Sequence, residues 1–288
     1  MPPDPRPEAQ ELISSRRNPL VARLRQLHEG RGRREQQRLL LEGTHLLQEA
    51  LRLRLEPELL LATPSWCERH GSLLAQLPPT SVLRPATPEV LEAAATTRSP
   101  DGVLAIVPIP APRPPAGGSG FVLALDRIQD PGNLGTLLRT ALAGGVEEVW
   151  LAGGADPHQP KVLRASSGAA LALPLRRLAA AELAADLQAA RRRGLRLVAA
   201  VLPGPAWPEP LPYWSYDWQA PTLLLLGNEG AGVDPGLSPQ LDAVLTIPHS
   251  PAVESLNVAV ASAPLLLERW RQRCGGGVAP HPAIARGG

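Results

Sequence analysis

Short uninterrupted apolar runs separated by amphipathic stretches set the rhythm of this chain. In its first third, Leu39-Leu40-Leu41, Leu59-Leu60-Leu61 and Val103-Leu104-Ala105-Ile106-Val107 read as buried strands, and Thr44 to Leu53 and Pro88 to Ala95 as helices. Ahead of them, Asn18 can cap a helix whose first position is Pro19, with Leu20, Leu24 and Leu27 at helical spacing. This half predicts a small α/β domain. Past residue 120 the alternation is plainer. Strands are predicted at Phe121–Leu125, Glu148–Leu151, Leu195–Val201, Thr222–Leu226 and Ala243–Ile247, and helices at Leu134–Ala143, Ala180–Arg193 and Leu256–Arg273. Continuous apolar strands separated by helices predict a parallel sheet covered on both faces. Pro264 falls inside the last helix, where it removes a hydrogen bond and predicts a kink.

Between the halves, Pro108 to Gly120 consists almost wholly of Pro, Gly and Ala and offers nothing to bury. The expected organisation is a first domain over 11–108, a linker over 109–119 and a second domain over 120–275, with residues 1–10 and 276–288 as loose tails. Apolar residues make up 44% of the 288 positions, enough for a sizeable core, but aromatics supply 3%, so Leu, Ala and Val are expected to fill it. Cys67 and Cys274 match no metal-ligand spacing and make no disulfide framework, which fits a reducing compartment. With no apolar leader and no apolar run of spanning length, the expectation is a cytoplasmic protein that crosses no membrane and holds no metal.

Ligands of parallel α/β sheets sit beyond the carboxyl ends of the strands, which directs attention to three turns. The first, Asp126 to Arg139, follows a strand and opens a helix. Pro131-Gly132 turns, Asn133 can cap, and Arg139 falls about 120° around the helix from Asn133. The second, Leu226-Gly227-Asn228-Glu229-Gly230-Ala231-Gly232, sets three glycines around one carboxylate. Its spacing differs from the dinucleotide fingerprint and from the phosphate loop. The third runs from Ile247-Pro248-His249-Ser250 through Ser255-Leu256-Asn257. There Ser255 is a natural cap, and a buried Asn257 would need partners. Taken singly, the first turn reads as a capped helix with a surface arginine and the third as a capped helix, while the second reads equally as a cofactor loop or a tight strand-to-helix turn.

The three together, in this order and spacing, resemble the signature motifs of the SpoU (TrmH-type) RNA methyltransferases of the SPOUT superfamily. Those motifs carry Asn and Arg in the first, Asn-Glu-Gly in the second, and Ser-Leu-Asn after Ile-Pro in the third. The resemblance covers residues 121–273, and Arg38 to Leu47 within 16–53 is similar to the family's N-terminal substrate-binding domain. It implies a parallel-sheet catalytic domain with a carboxyl-terminal trefoil knot, a homodimer with its site near the interface, and S-adenosylmethionine as cofactor. Carried over by position, the cofactor loops are Leu202–Gly204, Leu226–Gly230 and Ile247–Leu256. Gly227, Ile247 and Leu256 would be the main contacts, with Leu226, Asn228 and Pro248 beside them. Arg139 would act on the ribose hydroxyl, and Asn133, Glu229, Ser255 and Asn257 would orient it, the substrate and the cofactor. A guanidinium keeps its proton to about pH 12, so stabilising a developing alkoxide or clamping a phosphate suits it better than acting as a base. His249 and Ser250 depart from the family pattern, and His249 reads as a tolerated loop residue.

Charge then bears on the substrate. Eight arginines fall within residues 16–38, opposed by Glu29 and Glu35, for a local charge of +6. Beside an RNA-modifying domain this run reads as a phosphate-tracking surface, with Arg16, Arg17, Arg23, Arg31, Arg33 and Arg34 as candidate contacts. Arginine predominates throughout, Lys161 being the single lysine. The expected activity is methyl transfer to a ribose 2′-hydroxyl of RNA, ribosomal before transfer RNA. The rivals are a catalytically silent RNA-binding protein and a nucleotide-dependent enzyme acting on small molecules.

Overall fold

The computed structural model describes residues 11–111 and 120–274. The expected tails and most of the expected linker (112–119) lie outside the described residues. In chain order the first elements are α1 (Pro19–Gln26), α2 (Gly30–Gln36), β1 (Arg38–Glu42), α3 (Thr44–Arg52), β2 (Leu59–Ala62) and α4 (Pro64–Arg69). There follow α5 (Gly71–Leu74), β3 (Val82–Pro85), α6 (Pro88–Ala94), β4 (Val103–Pro108), β5 (Phe121–Asp126) and α7 (Pro131–Ala143). Next come β6 (Glu148–Ala152), α8 (Pro160–Ala165), α9 (Ala169–Ala172), β7 (Leu175–Leu178), α10 (Leu183–Arg192) and β8 (Arg196–Ala200). The last are β9 (Leu211–Pro212), β10 (Thr222–Leu226), β11 (Ala243–Thr246) and α11 (Val258–Cys274).

Two units result, and the chain visits the first of them twice. Among the described residues, unit one comprises 11–111 together with 156–172, and unit two comprises 120–155 and 173–274. Unit one holds a mixed four-stranded sheet in the order β1-β4-β2-β3, with β4 antiparallel to both neighbours and β2 parallel to β3. Asn18 caps α1 through its side-chain oxygen, accepting from the Leu20 N–H at 2.9 Å, and Pro19 stands at the first turn. The segment 156–172 is fastened to this unit by charge. Arg164 pairs with the buried Glu42 carboxylate at 3.1 Å, and Arg33 pairs with Asp156 at 2.6 Å.

The arginine run is therefore not uniform. Arg33 is 3% exposed and donates to the Leu27 and His28 carbonyls as well as to Asp156. Its expected role as a phosphate contact is corrected by that burial, because all its reach is turned inward. Arg16, Arg17, Arg23, Arg25, Arg31 and Arg34 are exposed. Of these, Arg31 is engaged by Glu35 one turn on, and Arg23 by the Gln36 side chain.

Unit two is built on a seven-stranded sheet, β7-β6-β5-β10-β8-β11-β9, parallel at every pairing. The run Thr222-Leu223-Leu224-Leu225-Leu226 takes the centre because every one of its residues is buried, as a strand covered on both faces requires. Each such leucine contributes about 1.5–3 kcal/mol by leaving water. The core is less exclusively aliphatic than expected: Trp66 in unit one, and Trp150, Trp218 and Phe121 in unit two, are among its largest fully buried side chains. The last helix runs through Pro264 from Val258 to Cys274, packing on α7. That approach is close: a Cβ at Gly144 would stand 2.8 Å from the Leu266 Cβ.

Candidate active site

The carboxyl ends of β5, β10 and β11 open into the three turns singled out by sequence, and that of β8 opens into the loop that holds Leu202–Gly204. After β5, the chain passes Arg127 in the left-handed region (φ +52) and enters α7. The cap of that helix is Asp130, not Asn133 as expected: the Asp130 carboxylate accepts from the Asn133 N–H at 2.8 Å. Freed from capping, the Asn133 side chain faces across the turns. Its Nδ2 donates to Glu229 at 3.3 Å, and its Oδ1 accepts from Asn257 Nδ2 at 2.9 Å.

After β10, Asn228 and Gly232 exchange backbone hydrogen bonds and close a tight loop. The Asn228 Oδ1 accepts from the N–H groups of Gly230 and Ala231, while its Nδ2 donates to the Arg127 carbonyl at 2.8 Å. That bond, with the Arg127–Asp126 ion pair at 2.8 Å, holds the left-handed Arg127 in place. Glu229 reaches back to the first turn and accepts from the Gln129 and Asp130 N–H groups at about 3.1 Å. Partial burial pushes its pKa up, but the hydrogen bonds from Asp130, Gln129, its own backbone and Asn133 outweigh that and hold it below the usual carboxylate range. Gly227 is required by the loop itself. A Cβ there would stand 2.1 Å from the Gly232 carbonyl carbon.

After β11, the expected cap Ser255 is also corrected. Asn257 accepts from the Ala259 and Val260 N–H groups at 2.9 and 3.2 Å and so starts α11. It is exposed rather than buried, yet fully occupied: its oxygen caps the helix and its nitrogen holds Asn133. A single line of hydrogen bonds thus runs from the head of α11 through Asn257 and Asn133 to Glu229 and the backbone of the first turn.

This relay borders a cavity of about 630 Å³. Of the expected cofactor residues, Gly227, Ile247, Leu256, Leu226 and Asn228 line it, as do Leu202 and Ser255, while Pro248 and Gly204 do not. Sequence reading missed Trp207, which lines the cavity from the loop after β8, held by two backbone hydrogen bonds with Gly204. The signal was slight: one tryptophan in a proline-rich loop. Arg139 is exposed on α7, does not line the cavity, and has no hydrogen-bond or ion-pair partner among the described residues. The ionisable side chains on the wall are Glu229, Glu254 and His249. Apolar walls, exposed loop backbone and two carboxylates without a Lys or Arg suit a neutral or cationic ligand with a flat ring, and oppose a polyphosphate.

Such a cradle beyond the carboxyl ends of a parallel sheet, spanned by an Asn–Asn–Glu relay, defines an α/β enzyme with a polar site beside a small-molecule cleft. The chain belongs to the SpoU rRNA Methylase family, whose model matches residues 120–267, and residues 18–105 match an MRM3-like substrate binding domain. It is 42% identical to an uncharacterised tRNA/rRNA methyltransferase of Synechocystis sp., over 91% of this chain and 94% of that one. It is 31% identical to the 23S rRNA (guanosine(2553)-2′-O)-methyltransferase RlmP of Bacillus subtilis, over 88% of this chain and 97% of that one. The solved structure of an AdoMet-bound rRNA methyltransferase from Sinorhizobium meliloti superposes with a TM-score of 0.76 at 29% identity, covering 91% of this chain and 98% of that one.

Proposed function

We propose that this chain transfers a methyl group from S-adenosylmethionine to a ribose 2′-hydroxyl of ribosomal RNA. The observation that carries the reading is the relay Asn257–Asn133–Glu229, which joins all three signature turns at the rim of one cavity. The cavity fits the cofactor by its chemistry. Leu202, Leu226, Ile247 and Leu256 offer apolar surface to an adenine, the glycine loop offers backbone to a ribose, and Glu229 and Glu254 favour a ligand bearing positive charge. Bound there, S-adenosylmethionine supplies an electrophilic methyl on a sulfonium. The protein's part is to bring a ribose hydroxyl in line with that methyl and stabilise the developing alkoxide, the hydroxyl proton passing to solvent as the sulfur takes the electrons of the broken carbon–sulfur bond. Arg139 takes that part, with Asn133, Glu229, Ser255 and Asn257 fixing the turns around it.

The reading extends to assembly. Val260, Leu267 and Trp270 lie exposed along α11, and Leu142 lies exposed near the end of α7. A second copy covering this stripe would make a homodimer and set Arg139, absent from the cavity wall of a single chain, at a site built near the interface. The carboxyl-terminal part of unit two forms the family's trefoil knot around the cofactor loops. Residues 11–108, with the returning segment 156–172 packed into their unit, serve as the RNA-gripping domain, the rest of 120–275 serves as the catalytic domain, and the enzyme works in the cytoplasm on its RNA.

The deciding test is incorporation of labelled methyl from S-adenosylmethionine into bulk ribosomal RNA, followed by mapping of 2′-O-methyl sites in cells with and without the gene. One site lost with the gene is expected. RNA binding without any incorporated label would overturn the reading in favour of a silent RNA-binding protein.

A further inference from the structure

His249 lines the cavity from the loop after β11 and is half-buried there. Its Nδ1 lies 2.7 Å from the Ile247 carbonyl, and since a carbonyl only accepts, Nδ1 must carry the hydrogen. The bond fixes both ring and tautomer. The neutral imidazole then presents an Nε2 lone pair for which no partner exists among the described residues. Protonation turns the same atom into a cationic donor without releasing the ring. A tolerated loop residue would need neither the lock nor a place on the wall. The remaining described histidines, His28, His45, His70 and His158, belong to unit one.

We infer that His249 makes cofactor binding proton-sensitive: the neutral ring admits the sulfonium cofactor, and the imidazolium repels it. This rests on the cofactor assigned above and adds a discrimination that the backbone loops do not supply. S-adenosylmethionine carries a sulfonium charge, whereas S-adenosylhomocysteine, the product left after methyl transfer, carries a neutral thioether on the same skeleton. A charge gained on His249 therefore acts on the first ligand far more than on the second. The other ionisable groups on the wall, Glu229 and Glu254, are carboxylates. Glu229, held below the usual carboxylate range, keeps its charge where histidines change theirs and so contributes a steady attraction. By linkage, the sulfonium ligand drives a proton off His249 as it binds, and the thioether does not.

The test is titration calorimetry of the full chain with each ligand at about pH 5.5 and about pH 8, the range over which imidazoles change charge. S-adenosylmethionine affinity is expected to fall on the order of three- to tenfold at the acid end, as one partly screened unit-charge repulsion would give, with S-adenosylhomocysteine changing less than about twofold. Repeating the titration near neutral pH in buffers of different ionisation heat should show proton release for the first ligand alone. His249→Gln, which keeps an acceptor and removes the titration, should bind both ligands with a flat pH profile. Parallel pH profiles for the two ligands, or an acid loss that persists in His249→Gln, would overturn the proposal. Failure of both ligands to bind at either pH would instead overturn the cofactor assignment, and the proposal with it.

Discussion

Glu229 and Gly227 sit two residues apart, and the structure gives each a reason that spacing alone did not supply. Glu229 is held as a carboxylate by backbone N–H groups of another turn, so its folded pKa lies below the unfolded one. A group shifted in that direction stabilises the relay fully above its unfolded value and releases it only as pH falls through the folded value. The activity of the wild type should therefore keep an acid limb below the ordinary carboxyl value of about 4.3, while Glu229→Gln, whose amide turns a donor toward N–H groups, should lose activity by on the order of tenfold at all pH. Initial rates at saturating S-adenosylmethionine, where a loss of cofactor affinity does not register, check both from acid to neutral pH; an unchanged rate for Glu229→Gln would remove Glu229 from the machinery. At Gly227 the obstacle to a side chain is the protein's own loop, not only a ligand. Even Gly227→Ala should displace the Gly232–Val233 backbone and lower cofactor affinity in a folded protein, which calorimetry with S-adenosylhomocysteine measures. Arg139→Ala should behave oppositely. Its side chain has no hydrogen-bond or ion-pair partner among the described residues, so fold and cofactor affinity should stay, while methyl transfer falls by about a hundredfold or more.

Elements were legible where burial was two-sided and hidden where it was not. The leucine run of β10 and the apolar β5 could be read directly because both faces of a central strand must be covered. The edge strand β7 carries Arg176 and Arg177 in its middle, exposed, and β3 begins with an exposed Val82; neither shows the pattern of a core strand, and both went unseen. Both helix caps at the site were misplaced by a few residues, for one reason. Asp130, three residues ahead of Asn133, accepts from the Asn133 N–H, and Asn257, two residues past Ser255, accepts from the Ala259 and Val260 N–H groups; in each turn a neighbouring Asx side chain starts the helix, and the three-dimensional meeting of Asn133 with Asn257 and Glu229 gives the Asn133 side chain other partners. The last helix shows an element held by one residue. Arg269 donates to the carbonyls of Trp218, Ala220 and Gly120 and lies 4.3 Å over the Phe121 ring. Burial draws its pKa down to about 10, so it remains charged at neutral pH. Arg269→Met should leave the buried Trp218 carbonyl unpaired and take one of two donors from the Ala220 and Gly120 carbonyls, which Thr222 also serves, destabilising unit two by roughly 1–3 kcal/mol, read as a lower midpoint in denaturant. A midpoint within error of wild type would show that water replaces the guanidinium.

At the scale of the whole molecule, the return of residues 156–172 to unit one changes how its RNA role must be tested. A fragment beginning at residue 109 would leave α8 and α9 without the partners that bury Val162, Leu163 and Ala170, so its behaviour would report exposed apolar surface as much as lost RNA contacts. Substitutions in the intact chain avoid this, provided they spare Arg33. Arg33→Ala should lower thermal stability, because the Leu27 and His28 carbonyls lose the Arg33 donor and the Asp156 carboxylate loses its ion pair with it, keeping the His158 N–H. Arg17, Arg25 and Arg34 are exposed and have no ion-pair partner among the described residues, so exchanging all three for Gln should leave the melting temperature unchanged. If these side chains grip phosphates, the triple exchange should weaken RNA binding and flatten the log–log salt dependence by about 0.7 per lost contact to single-stranded RNA, up to about 2 in all. Cofactor affinity should not move, since every cavity residue lies beyond position 130. Measuring RNA affinity for wild type and triple variant across a series of salt concentrations separates the cases: an unchanged slope would mean that the basic run of unit one is a solvated face and that RNA is held elsewhere.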